Sequence, residues 1–211
     1  MQRTCEDCTP STAQTCQRYG ILIESETVTR TDLDIDALLG ELARAPGKAE
    51  LVKGEVVHMA PTGDAPGTAG DEIYFSLRKF VERTGVGHAV SDNKAFRVNL
   101  AHRQSFSPDA AYYTGPRSGM KFFPVPPVFA AEVRSEGEHG PKAEREMARK
   151  RDDYFAGGTL VVWDVDLNSP EVVRKYTAAD PKRPAVFGRG DTADAEPAVP
   201  GWRMAVDELF A

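Results

Sequence analysis

The alternation of apolar and polar positions predicts a series of helices and short strands from about residue 31 onward. Apolar residues at helical spacing indicate a first helix, which Thr31 can cap and which ends before residue 46. Two strand-like segments follow at 49–52 and 55–59, and the Lys-Gly pair between them is typical of a hairpin turn. The pattern therefore predicts an N-terminal helix followed by a β-hairpin. The apolar stripe of that helix consists of Ile35, Leu38, Leu39 and Leu42.

Two longer helices are predicted further along the chain, and glycine follows each of them. The first is expected at 71–84, after a loop rich in proline and glycine, and the second at 141–156. Residues 178–200 carry little periodic signal, and a short terminal helix is expected to dock through Leu209 and Phe210. The remaining strand-like segments are 87–90, 95–100, 108–113, a segment around Glu132, 159–165 and 171–176.

This order of elements indicates a single α/β domain built on a mixed sheet. The sequence shows neither repeats nor an internal boundary, so we expect one domain over residues 21–211. The chain has 211 residues, of which 41% are hydrophobic and 27% charged. That length and composition suit a globular protein with one large core.

The charge and hydropathy of the chain limit where it can act. The net charge of −6 gives no general attraction to nucleic acid, so such binding would need a local basic patch or a metal ion. No apolar run approaches the roughly 18 to 20 residues of a membrane span, and the N-terminus lacks the apolar core of a secretory signal. We therefore expect a cytoplasmic protein with no membrane association.

The three cysteines all lie within the first 16 residues. Cys5 and Cys8 have the spacing of a zinc knuckle, but a structural zinc site needs four ligands and no histidine accompanies Cys16. The segment is otherwise rich in threonine, glutamine and serine. We therefore expect residues 1–20 to form a disordered tail.

One acidic residue stands within a strongly apolar segment. Glu132 is flanked by Phe129, Ala131 and Val133, a pattern typical of a covered strand. Burial of an ionised carboxylate costs several kcal/mol, so such a group is normally paired, protonated or bound to a metal ion. Asp109 belongs to another predicted strand, and we expect the two acids to share a divalent cation.

A lysine lies on the apolar face of the last predicted helix. On a helical wheel Ala143, Met147, Lys150 and Tyr154 fall within about 60 degrees of one another. Lys150 could extend along the core to reach water, as lysines often do. The two predicted strand acids favour an internal charge cluster instead. Two carboxylates and an ammonium group around a cation suit magnesium-assisted hydrolysis of a phosphodiester.

These residues form part of an ordered set of motifs. The motifs are residues 50–59, 108–109, 132–135, Lys150 one turn before Tyr154, 162–166 and 200–210. Together they resemble the Uma2 family of restriction-endonuclease-like proteins, from about residue 31 to the C-terminus. The resemblance implies the fold of the PD-(D/E)xK nucleases, in which helices flank a central mixed β-sheet. It also implies a Mg²⁺-dependent site in which Mn²⁺ can substitute, a nucleic acid substrate, DNA above all, and a homodimer.

The resemblance also implies roles for individual residues. Asp109 and Glu132 match the two acids that bind metal and act in catalysis, and Lys150 matches the catalytic lysine of the helix. Arg134 stands where other members of the superfamily have lysine. Arg134 could bind a phosphate, but a guanidinium group does not act as a general base.

Two further positions leave alternatives open. Glu55 matches an acidic hairpin position that could add a metal ligand, although a solvated strand residue is equally compatible with it, and Glu50 is a weaker candidate. Many relatives carry histidine in the loop after the hairpin, where this chain has Pro66.

The leading functional hypothesis is thus a Mg²⁺-dependent endonuclease. A second hypothesis is a catalytically impaired module that keeps the fold and binds nucleic acid or a protein partner. A third is a regulatory or scaffold dimer in which Glu132 and Lys150 pair with each other without a metal ion.

Overall fold

The structure is a computed structural model that describes residues 35–211. The Cys5, Cys8 and Cys16 tail and the predicted Thr31 cap lie outside the described residues. The helices of the described part are α1 (Ile35–Leu42), α2 (Asp64–Thr84) and α3 (Pro141–Ala156), and a 3₁₀ helix spans Val206–Phe210. The strands are β1 (Ala49–Val52), β2 (Glu55–His58), β3 (His88–Ser91), β4 (Phe96–Leu100), β5 (Arg103–Phe106), β6 (Ala110–Tyr113), β7 (Phe129–Val133), β8 (Val161–Val165), β9 (Val173–Thr177), β10 (Asp180–Phe187), β11 (Thr192–Asp194) and β12 (Arg203–Ala205).

A mixed six-stranded sheet forms the centre of the domain, in the order β10-β9-β8-β7-β6-β3. Neighbouring strands are antiparallel except β7 and β8, which are parallel. Parallel neighbours need a long crossover connection, and α3 provides it. The fold class predicted from the sequence, a mixed sheet flanked by helices, is therefore confirmed.

A second sheet of four strands, in the order β2-β1-β5-β4, contains the predicted hairpin. Its turn consists of Lys53 and Gly54, both with positive φ angles of 55° and 74°. Two positive φ angles in a two-residue loop match the twist of the flanking strands. The hairpin predicted from the sequence is confirmed, and β1 lies between β2 and β5.

Side chains alternate between the two faces of the central sheet and belong to two separate core clusters. On one face, Ala110 and Tyr112 of β6 pack with Phe129 and Ala131 of β7 against α2. On the other face, β6 and β7 pack against β4, β5 and α3. That second cluster contains Val90, Phe96, Val98, Phe106, Ala111, Tyr113, Ala130, Tyr154 and Val162. Because Glu132 follows Ala131 in β7, strand alternation places it on the second face.

Helix α2 begins at Asp64, seven residues before the predicted start. The sequence 60–70 is rich in proline and glycine and so indicates a loop, but Pro66 lies in the first helical turn, where proline is tolerated. Gly70 lies against the start of β6 in the central sheet, and a Cβ atom there would come within 3.4 Å of the Cβ atom of Asp109. Close packing thus favours glycine inside this helix despite its low helix propensity.

Four strands were absent from the prediction. β5 follows β4 after a two-residue turn, β10 and β11 lie in the region that carried little periodic signal, and β12 comes directly before the terminal helix. β10 includes Pro181 and Pro184, and its pairing with β9 shifts register between Asp180 and Ala185. It lies at the edge of the sheet, where proline removes no essential ladder hydrogen bond. The short terminal helix is confirmed as the 3₁₀ segment, with Leu209 buried.

Across residues 35–211, the helices are all too short or too polar to span a lipid bilayer.

We expect the contact between α2 and the sheet to dominate stability. Leu77 of α2 is fully buried in the first core cluster. Leu77→Ala should lower the free energy of unfolding by about 2–5 kcal/mol, because it removes buried apolar surface and leaves a cavity. Urea denaturation measures this change. Phe75→Ala on the exposed side of the same helix is the control, and an equal loss in both variants would contradict this packing.

Candidate active site

Two adjacent strands bring Asp109 and Glu132 to the same end of the sheet. The N–H of Asp109 donates to the carbonyl of Ala131 at 3.1 Å, which extends the β6–β7 ladder by one residue. The N–H of Val133 in turn donates to Oδ2 of Asp109 at 2.7 Å. The backbone of β7 therefore orients the carboxylate of Asp109 next to Glu132, as the sequence predicts.

Two side chains of α3 hold the buried carboxylate of Glu132. Lys150 Nζ donates to Glu132 Oε2 at 2.8 Å, and the Tyr154 hydroxyl donates to Oε1 at 2.6 Å. The two donors are one helical turn apart, so they reach the carboxylate from one helix face. The interior charge cluster expected from the sequence is present, and the ammonium group of Lys150 is paired with acids while its side chain is 16% exposed.

Glu50 of β1 provides the second acidic partner of Lys150. Its Oε1 atom lies 3.1 Å from Lys150 Nζ and accepts the N–H of Ser107 at 2.9 Å. Its Oε2 atom lies 2.5 Å from Nη1 of Arg103. Glu50 is 3% exposed, so these contacts replace nearly all of its hydration. Lys150 thus links the hairpin sheet to the central sheet.

Arg103 continues this chain of ion pairs. Its Nε atom donates to Oδ2 of Asp153 on α3 at 2.7 Å, and His102 Nε2 lies 2.6 Å from the other oxygen of the same carboxylate. The guanidinium carbon also lies 5.3 Å from the centre of the Phe106 ring. Arg103 therefore fixes Glu50 and α3 relative to each other.

The charges set the protonation states of the central groups. Burial raises the pKa of Glu132, and Asp109 and Glu50 raise it further against the opposing effect of Lys150. Burial would also raise the pKa of Glu50, but Lys150 and Arg103 outweigh it and lower that pKa. Burial would lower the pKa of Lys150, yet Glu132 and Glu50 raise it above its ordinary value. With Glu132 and Glu50 both ionised, Lys150 is therefore held as an ammonium group.

The Tyr154 hydroxyl is also kept protonated by burial and by the neighbouring carboxylates, so it acts as a hydrogen-bond donor. Burial raises the pKa of its hydroxyl, and the charges of Glu132 and Glu50 add to this effect. The ring also stacks on Phe106, with 4.0 Å between ring centres. The stacked ring holds the hydroxyl towards Glu132.

Lys48 is a second lysine in the cluster and was missed by sequence reasoning. Its Nζ atom lies 2.5 Å from Oδ1 of Asp109 and 2.6 Å from Oδ1 of Asp92. Burial would lower the pKa of Lys48, but Asp109 and Glu132 raise it. Lys48 is therefore charged and holds the oxygen of Asp109 that the β7 backbone leaves free.

We call this assembly the charge cluster. It joins three cations with five carboxylates, so with all of them ionised and His102 neutral it carries two more negative than positive charges. The cations are Lys48, Arg103 and Lys150, and the carboxylates are Glu50, Asp92, Asp109, Glu132 and Asp153.

The donor chemistry of the charge cluster fits a hard divalent cation. Asp109 and Glu132 offer carboxylate oxygens from adjacent strands, and Mg²⁺ is commonly bound by one or two carboxylates together with waters. Their mutual repulsion raises the pKa of Glu132, and a cation between them would relieve it. Within residues 35–211, no three acidic, histidine or cysteine side chains form a ready-made metal cage. Asp109 and Glu132 are the residues of the charge cluster that could hold such a cation, and Lys48 contacts one oxygen of Asp109 in this structure.

The position of Arg134 argues against the predicted phosphate contact. Its side chain is 1% exposed, and its guanidinium binds both oxygens of Asp164, at 2.7 and 2.8 Å, and also contacts Glu144. A buried guanidinium that is already paired with two carboxylates has no free edge for a phosphate. Arg134 instead joins β7 to β8 and to the start of α3.

Of the two hairpin acids, Glu50 belongs to the charge cluster and Glu55 does not, which is the reverse of the predicted order. Glu55 lies opposite Val52 next to the turn and is exposed, and none of the contacts of the charge cluster involves it. Its predicted role as a metal ligand therefore has no support, whereas Glu50, the weaker candidate, is buried in the cluster. The reason is position along the hairpin, because Glu50 lies at the deeper end of β1 beside Ser107 and Lys150.

Sequence reasoning had only weak signals for Lys48, Arg103 and Asp153. Lys48 directly precedes β1, and its carbonyl extends the pairing with β2 by accepting the N–H of Met59. It lies two residues before Glu50, so the two side chains share a face, and this spacing was available. Arg103 begins a strand that was not predicted, and no local pattern separates Asp153 from the other charged residues of α3. Partners that come together only through tertiary folding leave no periodic signal.

We expect loss of Lys150 to destabilise the protein, because it would leave Glu132 and Glu50 as buried charges with fewer partners. Lys150→Met should lower the free energy of unfolding by about 3–5 kcal/mol at neutral pH, as measured by urea denaturation. Lys142→Met on the exposed face of α3 is the matched control and should leave stability nearly unchanged. Equal stabilities of the Lys150→Met variant and the wild type would contradict a buried ion-pair centre.

Comparison with known proteins agrees with the fold described above. One crystal structure of a "putative nuclease belonging to DUF820", from Anabaena variabilis ATCC 29413, matches 82% of this chain and 96% of its own length with a TM-score of 0.65. The two sequences are 15% identical, so the match shows a shared fold. No protein with a curated description matches the chain. The family model of Uma2, described as "Putative restriction endonuclease", matches residues 36–207, and the chain therefore belongs to the Uma2 family.

Proposed function

We propose that this protein is a Mg²⁺-dependent endonuclease that hydrolyses phosphodiester bonds in DNA. The single observation that supports it best is the junction of Asp109, Glu132 and Lys150, with Lys150 Nζ 2.8 Å from Glu132 and the β7 backbone bonded to Asp109. Membership of a family described as restriction endonucleases supports the reaction class. The predicted homodimer stays a prediction that follows from the resemblance alone.

In this proposal Asp109 and Glu132 bind the cation, for which Mn²⁺ can substitute. The ion supplies a bound water of lowered pKa and positive charge beside the reacting phosphate. Its formal charge matches the two excess negative charges of the charge cluster. Tyr154 holds one oxygen of Glu132 through its hydroxyl, so the carboxylate presents a defined face to the site.

Lys150 contributes charge and position rather than proton abstraction. Because its pKa is raised, its ammonium group stays protonated. An ammonium beside the carboxylates can stabilise negative charge that develops on the phosphate oxygens and can orient the attacking water. Glu50 and Glu132 keep the ammonium in one place before substrate binds, and this preorganisation lowers the reorganisation needed in the transition state.

The second candidate function is a catalytically impaired module that binds nucleic acid or a protein partner. Two observations favour it. The ammonium group of Lys48 lies 2.5 Å from Asp109 and so occupies the place of a counter-ion. Pro66, in the first turn of α2, replaces the histidine that many relatives carry and offers no imidazole. The third candidate, a scaffold without metal, is favoured by the direct Lys150–Glu132 pair. Metal binding and cleavage separate the three candidates.

Substitution of the two acids tests the nuclease proposal. Asp109→Asn and Glu132→Gln should each reduce Mg²⁺-stimulated nicking of a supercoiled plasmid at least about 100-fold, because each removes a negatively charged ligand of the ion. Glu55→Gln is the matched control on the exposed hairpin and should keep full activity. Circular dichroism and melting curves check that the variants fold. Full activity in both acid variants, or cleavage that persists in EDTA, would contradict the proposal.

Lys48 offers a second test, which measures the ion directly. Because the ion and the Lys48 ammonium compete for Asp109, Lys48→Met should bind Mn²⁺ about fivefold more tightly, the equivalent of about 1 kcal/mol for one ion pair. Isothermal titration calorimetry measures the affinity, and Lys94→Met, which leaves Asp109 untouched, is the control. Weaker binding by Lys48→Met would show that Lys48 does not oppose the ion. Absence of Mn²⁺ binding in every variant would favour the scaffold function.

A further inference from the structure

A second polar feature lies beside the charge cluster. A cavity of about 500 Å³ is open to solvent, and its lining includes three exposed cations, Lys94, Arg117 and Lys121, but no acidic side chain. The half-buried rings of Phe122 and Phe123 form part of its wall. We call this feature the basic pocket.

The cations of the basic pocket are not neutralised by the protein. Over residues 35–211, none of the three forms an ion pair with a carboxylate. Lys94 Nζ donates only to neutral oxygens, the Ser91 hydroxyl at 2.8 Å and the Asp92 carbonyl at 3.3 Å. Three cations without a carboxylate partner among residues 35–211 thus line one cavity of a chain whose net charge is −6. The local potential therefore favours an anionic ligand.

The loop that carries two of these cations is held in place. The N–H of Phe123 donates to the carbonyl of Ala95 at 3.0 Å, and the carbonyl of Phe123 accepts the N–H of Arg97 at 2.8 Å. The Phe123 ring stacks on Phe96, with 4.6 Å between ring centres. Within the loop, the Ser118 hydroxyl donates to the carbonyl of Lys121 at 3.0 Å. The cations thus extend from an anchored backbone, which reduces the entropy lost on binding.

The basic pocket lies next to the charge cluster. Asp92 contacts Lys48 at 2.6 Å, and the two residues that follow it, Asn93 and Lys94, line the pocket. A smaller cavity of about 50 Å³ shares lining residues with the basic pocket and is also lined by Ala49 and Ser107, which flank Glu50 in sequence and space. The shared residues are Asn93, Ala95 and Phe122.

We infer that the basic pocket binds the phosphodiester backbone of a nucleic acid next to the bond held at the charge cluster. This inference rests on the proposed function, since it extends the substrate beyond the reacting phosphate. Lys94, Arg117 and Lys121 contact backbone phosphates, and the phenylalanine rings offer an apolar surface to a sugar or an unstacked base. Backbone contacts of this kind give affinity without sequence preference. The pocket also resolves how an acidic protein can hold a polyanion, because the attraction is local.

The test is binding of a fluorescein-labelled 20-nucleotide DNA, single-stranded and duplex, to the full chain in EDTA, followed by anisotropy at several salt concentrations. The variant K94A/R117A/K121A should bind about 10- to 100-fold more weakly at low salt. The slope of log affinity against log salt should fall by about two to three, because each lost phosphate contact removes about 0.7–0.9 from it. The control K79A/K182A/R203A removes the same charge from exposed positions elsewhere and should change both quantities much less.

A rival surface is included in the same experiment. The exposed bases of α3 are removed in K142A/R145A/R149A, which also has the same charge change. A larger loss in this variant than in K94A/R117A/K121A would place the backbone on α3 and overturn the inference. Equal losses of affinity in all three triple variants would show a general charge effect and would overturn the inference. Absence of measurable DNA binding by the wild type at 20 mM salt would overturn it as well.

This assay measures DNA binding and not cleavage, so its result can contradict the inference without contradicting the proposed function. A wild-type protein that binds DNA through the basic pocket but never cuts it supports the pocket and contradicts the nuclease. Plasmid nicking by K94A/R117A/K121A adds a second readout. Its KM should rise while kcat changes little, because the charge cluster is untouched.

Discussion

The rest of the site depends on one buried interaction, the ammonium of Lys150 between the carboxylates of Glu132 and Glu50. Each of these acids alone would be too costly to bury, and a lysine surrounded by apolar side chains would lose its proton. Together they stabilise their charged forms, and they join β7, α3 and β1 at one point. The two sheets therefore meet through an ion-pair centre as well as through apolar packing.

This centre also explains why the neighbouring groups are held so firmly. The backbone of β7 orients Asp109, the hydroxyl of Tyr154 orients Glu132, and Arg103 holds the far side of Glu50. The cluster still has an excess of negative charge, which Lys48 reduces at Asp109. Lys48 neutralises part of the charge of Asp109 in this structure, so a cation that binds Asp109 would have to displace this ammonium group.

The sequence predicted the parts of this molecule that have a local cause. Helix α3, the hairpin and the strand around Glu132 follow from apolar periodicity and turn residues. The structure brings Asp109 to the backbone beside Glu132 and brings Lys150 to Glu132, whereas their shared role at a cation stays a prediction. Two features could not be predicted in this way: the presence of Glu50 rather than Glu55 in the charge cluster, and the pairing of Arg134 with Asp164. Both depend on which strand ends lie against which helix turns, and alternation along one strand does not contain that information. Lys48 could have been found from its two-residue spacing to Glu50.

The central claim is that Asp109 and Glu132 together hold a divalent cation, and a crystal structure of the protein soaked in Mn²⁺ tests it most directly. The account predicts an anomalous difference peak within about 2.0–2.2 Å of one oxygen of each carboxylate, with Lys48 turned away from Asp109. The contrary result is a crystal, soaked at saturating Mn²⁺, in which Lys48 still contacts Asp109 and no peak lies between the two acids.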